Sequence, residues 1–203
     1  MADTEIDDCA REGVSMSGIL TGPTAAAQWQ ELVRTAAAEC RLRLDEELES
    51  YLVFLMMRFC AKPQMAGAVL ALEYLQGLMA SGRLHEQHLR DVGDQCLLYS
   101  GLFPLRARRR MVRMHYYVDL GRTAYWHLAQ RTQVAWAETF DRLAADFVAL
   151  RDVLQAMREV DAPGELDSLA LHELWDECGS RRAGEALRQR YGAELLDAPP
   201  RRQ

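Results

Sequence analysis

Residues 136–157 read WAETFDRLAADFVALRDVLQAM, and this stretch decides the fold class. Trp136, Phe140, Leu143, Phe147, Leu150, Leu154 and Met157 recur at steps of four, three, four, three, four and three residues. Only a helix brings such positions onto one side, and the alternation of four and three is the a/d seam of heptad packing. Between the apolar positions stand Glu138, Asp141, Arg142, Asp146, Arg151 and Asp152, which the pattern assigns to a solvated face. Two partners for the seam are open, a neighbouring helix of the same chain or the same helix of a second chain.

Outward from this stretch the chain keeps the helical period. After Gly22-Pro23, Thr24 to Cys40 is Ala-rich, with Trp29, Leu32 and Val33 on one side. A second helix opens at Asp45, with acidic residues in its first turn that favour the helix dipole. Its apolar positions are Leu44, Leu48, Tyr51, Leu52, Leu55 and Phe59. Past Lys62-Pro63, a third stripe comprises Met65, Val69, Leu72, Leu75 and Met79, up to Ser81-Gly82. A fourth helix carries Leu84, Leu89, Val92, Cys96 and Tyr99, and a fifth is expected from Leu105 to Arg131. The heptad helix is the sixth. Asp161-Ala162-Pro163-Gly164 ends it, and two short helices follow at 166–178 and 181–191 around Gly179-Ser180. No segment alternates with period two, so the expected class is all-α: about eight helices in one bundle-like domain with a short C-terminal helical pair. The expected divisions are a tail over 1–22, a main helical domain over 23–160, and the helical pair with its tail over 161–203.

The chain has 203 residues, of which 49% are hydrophobic and 27% charged, an ordinary globular composition. Its longest apolar run, Leu52–Met57, is far short of the ~20 residues that span a bilayer. The acidic start, from Asp3 to Asp8, is the reverse of a secretory signal, so the chain reads as cytoplasmic. Cys9, Cys40, Cys60, Cys96 and Cys178 are widely spaced and contain no C-x-x-C pair, which argues against a disulfide framework or zinc ribbon. Cys40, Cys60 and Cys96 fall at helical spacing among apolar residues and read as small core side chains. Lys62 is the only lysine beside 23 arginines and asparagine is missing, a bias expected of a GC-rich bacterial source. The net charge of −6 argues against general nucleic-acid binding.

Phosphate loops, nucleophile elbows and H-E-x-x-H helices are missing from the sequence. The sharpest polar group lies on the fourth and fifth helices. His88 and Asp91 are three residues apart and His115 and Asp119 four apart, spacings that let imidazole and carboxylate hold a divalent metal from one helix face. Asp94 continues the same edge, and Gln95, Tyr116 and Tyr117 could support the ligands. The competing reading leaves His88 and Asp91 in solvent and pairs Asp119 with Arg122. Arg106, Arg108, Arg109, Arg110 and Arg113 form the one dense basic run, suited either to an anion or acidic partner or to a solvated face. Glu73, inside Leu70–Leu75, belongs either on an exposed edge or beside an arginine of that run. The C-terminal pair invites a helix-turn-helix reading through Arg181, Arg182, Arg188 and Arg190. Trp175 and Glu185 fit that reading poorly, and Ser180 is better explained as an N-cap.

These features point to a non-enzymatic protein that binds another protein, or itself as a homodimer, through helix faces. The alternatives are a metal- or small-ligand-binding bundle using helices four and five, and a DNA-binding regulator using the C-terminal pair. The sequence names no cofactor, and neither nucleic acid nor membrane is expected as a partner.

Overall fold

A computed structural model describes residues 23–61, 70–104, 112–161 and 166–191. Among these residues there are nine helices and no strands, so the fold is all-α. In chain order they are α1 (Pro23–Glu39), α2 (Glu46–Ala61), α3 (Leu70–Met79), α4 (Gly82–Gly101), α5 (Met114–Ala129), α6 (Val134–Ala145), α7 (Phe147–Asp161), α8 (Ser168–Asp176) and α9 (Arg181–Tyr191). None of the described helices is long and apolar enough to cross a membrane.

Local chemistry explains most of the boundaries. Pro23 begins α1, a position where its missing N–H costs nothing. The helix closes with Leu42 N donating to Ala37 O at 2.9 Å and Arg41 N to Ala38 O at 3.0 Å, a Schellman pairing that leaves Arg41 at φ 54°. Asp45 caps α2 by accepting from Leu48 N at 2.9 Å, and Asp167 caps α8 through Ala170 N at 2.9 Å. Ser180 accepts from Ala183 N at 3.1 Å, the N-cap role expected of it. The fifth helix does not run from Leu105. Val112 and Arg113 are not helical, Arg113 being extended at φ −69°, ψ 152°, and the helix begins at Met114.

The heptad stretch is two helices, not one. Asp146 leaves helical geometry at φ −93°, ψ 12°, although hydrogen bonds still bridge it from Leu150 N to its carbonyl and from its own N–H to Arg142 O. A short carboxylate side chain competes with the backbone for hydrogen bonds, which makes aspartate a weak helix former and this position the yielding point. The seam is nevertheless core. Phe140, Leu143, Phe147, Leu150, Leu154 and Met157 are all buried, and their partners are internal. Phe147 packs on Tyr125 with ring centroids 6.1 Å apart, and Leu154 fills the space over Gly101.

Two expectations for this stretch fail. Trp136 is exposed, so the seam starts at Phe140. Arg151 and Asp152 are buried rather than solvated, because α7 is enclosed by α1, α4 and α5 with the start of α9 against it, and every residue from Leu150 to Arg158 is buried. The cost of dehydrating Arg151 is offset by an acceptor at each of its three nitrogens. Nε donates to Ser100 O at 2.9 Å, Nη1 to Asp152 Oδ1 at 2.5 Å, and Nη2 to Gln155 Oε1. Asp152 in turn accepts from Ser180 Oγ at 2.8 Å, which ties the start of α9 to α7.

Candidate functional site

Helix α3 is packed inside out. Glu73 and Gly77 face α4 while Leu72, Leu75 and Met79 face solvent. Leu70 and Gly77 are buried, and Glu73 and Tyr74 are half-buried. Glu73 Oε2 accepts from Gln95 Nε2 of α4 at 2.9 Å, so its partner is an amide on the next helix. A Cβ on Gly77 would lie 3.1 Å from His88 Cβ and 3.2 Å from Leu89 Cδ2, which shows how closely α3 and α4 approach. His85 Nδ1 lies 2.6 Å from Gly77 O and anchors the same crossing. The stripe expected to be core points the other way: Leu72 is 54%, Leu75 55% and Met79 89% exposed. Met65 and Val69 of that stripe lie outside the described residues. Leu78 and Leu84 extend the exposed apolar surface around the α3–α4 turn. The only charged residue of α3 is Glu73, so the outward face is uncharged and mostly apolar, with Gln76 its one exposed polar side chain.

The four residues singled out as metal ligands are not gathered into one site. His88 lies half-buried on the α3 side of α4, and Asp91 forms an ion pair with Arg58 Nη1 at 3.3 Å. Asp119 is exposed on α5, beside a shallow groove that also includes Trp126 and Asp141. His115, in the first turn of α5, instead meets two carboxylates from the C-terminal pair. Its Nδ1 is 3.8 Å from Glu173 Oε1 and 2.5 Å from Glu177 Oε2. Glu173 and Glu177 are four residues apart in the sequence, and nothing local joins them to His115.

Asp94, read as part of the same edge as His88, is a core residue. Tyr51 Oη donates to it at 2.5 Å and Tyr125 Oη at 2.6 Å, and Arg58 completes its shell. Burial raises the pKa of both phenols, which keeps them protonated as donors. Of the basic run, Arg106, Arg108, Arg109 and Arg110 lie outside the described residues. Arg113 Nη1 donates to Glu177 Oε1 at 3.2 Å.

The C-terminal pair is packed against α7 and the start of α5. Gly179 turns the chain at φ 74°. Trp175, which seemed too large for a close helix pair, is accommodated by Gly184, whose missing Cβ would be 2.7 Å from the indole. Glu185 is exposed, not buried as a helix-turn-helix would place it. Of the arginines that reading would turn toward phosphate, Arg182 is ion-paired with Glu159, and Arg190 donates to Leu166 O at 3.2 Å. A cleft of about 690 Å³ lies between these groups, lined by Glu39, Arg41, Gln155, Glu159, Arg182 and Arg190.

Burial holds the described thiols in the protonated form at neutral pH. It pushes Cys40 up to about 11 and Cys178 up to about 12, and it raises Cys96 further still. Compared with known proteins, the chain matches no protein-family model, no curated protein and no solved structure.

Proposed function

We propose that this chain is a non-enzymatic interaction module that pairs with a second copy of itself through the outward face of α3. The observation that carries this reading is the exposure of Leu72, Leu75 and Met79 on a helix whose one charged residue, Glu73, is turned toward α4. Apolar side chains gathered on one surface raise the free energy in water, and burying them by association lowers it. Their spacing of three and four residues suits helix-against-helix packing. A second copy is the favoured occupant because the face carries no charge, so two identical faces meet without repulsion.

The test needs no ligand: the mass of the full chain by light scattering, from low to high micromolar concentration. The expected result is a concentration-dependent dimer that Leu75→Asp dissociates while leaving helicity intact. A chain that stays monomeric across that range, or a dimer indifferent to Leu75→Asp, overturns the reading.

A further inference from the structure

The three groups that meet between α5 and α8 have the chemistry of a metal site. His115 Nδ1 and one oxygen from each of Glu173 and Glu177 all lie within 4.8 Å of one another. They come from two separate elements, the first turn of α5 and the last turn of α8 with its C-cap. We propose that His115, Glu173 and Glu177 bind one divalent transition-metal ion of the zinc class, which clips the C-terminal pair to α5.

Three features support this assignment. Each carboxylate is already oriented by an outer partner, as metal-ligating carboxylates are. Glu173 Oε1 accepts from Met114 N at 2.5 Å, and Glu177 Oε1 from Arg113 Nη1 at 3.2 Å. Glu177 Oε2, which faces His115, remains for a cation, and Glu173 Oε1 keeps a second lone pair beyond the one that Met114 N uses. Next, His115 Nδ1 is shielded from water and stands 2.5 Å from Glu177 Oε2. A divalent ion would take the place of the proton that such a pair otherwise shares. Finally, one imidazole with two carboxylates suits a borderline ion such as Zn²⁺, whereas Mg²⁺ and Ca²⁺ prefer oxygen alone. Two carboxylate charges balance the divalent ion. The side chains of all three are between 21% and 37% exposed, which leaves the ion's remaining positions open to water.

The competing explanation is a polar latch in which these groups merely hold α8 against α5. Titration of the full chain with Zn²⁺, followed by calorimetry and native mass spectrometry, separates the two. Glu173→Gln and Glu177→Gln serve as variants because an amide oxygen still accepts from Met114 N and Arg113 and so preserves a latch. The expected result is one Zn²⁺ per chain, weakened by about tenfold or more in each Gln variant and in His115→Ala. Zn²⁺ should also raise the melting temperature by mass action, and Mg²⁺ at equal concentration should not. Co²⁺ in place of Zn²⁺ should give visible absorption that is lost in His115→Ala. Failure of Zn²⁺ to bind, binding unchanged in the variants, or equal binding of Mg²⁺ overturns the assignment.

Discussion

Phe147 lies against Gly121: a Cβ on that glycine would sit 2.5 Å from the phenylalanine ring. The first residue of α7 therefore fills a space on α5 that only a glycine leaves open. Phe147 is fully buried, while its neighbour Asp146 is exposed at the break between α6 and α7. Phe147→Ala is expected to cost about 3–5 kcal/mol, the range for an aromatic removed from a packed core. Asp146→Ala is expected to cost less than about 0.5 kcal/mol. Chemical denaturation of both variants checks this contrast, and equally mild effects would remove Phe147 from the core.

Arg151 and Arg142 present a second contrast within the same stretch. Both were expected on a solvated face, yet Arg151 is fully buried and Arg142 pairs at the surface with Asp45. Arg151→Met leaves Asp152 buried without its cation and should cost about 3–5 kcal/mol. Arg142→Ala should cost no more than about 1 kcal/mol. Denaturation midpoints that rank the two the other way would show that the buried network contributes little.

Glu49 links stability to pH. Burial pushes its carboxyl up, but hydrogen bonds from Arg34 at 2.9 Å and Gln30 at 2.6 Å outweigh that and hold its pKa below the usual range. A depressed folded-state pKa adds stability above the unfolded value of about 4.3, and that stability is lost as the pH falls through the folded value. Because Arg34 is largely exposed, the contribution at neutral pH should stay within about 1 kcal/mol. Glu49→Gln should therefore lower the melting temperature at neutral pH and flatten its decline in acid. Parallel acid profiles for the two proteins would show that Glu49 is not the group responsible.

What the sequence by itself determined was local. The caps at Asp45 and Ser180, the turn at Gly179 and the spacing of Phe140, Leu143, Phe147 and Leu150 all depend on residues within a few positions of one another, so the all-α class and most helices could be read directly. Periodicity states which residues share a face, but not which face turns inward, because that depends on what the rest of the chain lays against it. The stripe of Leu72, Leu75 and Met79 is as regular as the one through Phe147, yet it points to solvent because Gly77 and Glu73 make the contact with α4. Arg151 looked solvated because its charge suggested water, and only the enclosure of α7 supplied Ser100, Asp152 and Gln155 as acceptors. His115 acquired Glu173 and Glu177 in the same way, across more than fifty residues of chain, when α8 packed against α5. Tertiary structure decided these three relationships, since each is a contact between elements that no local spacing encodes.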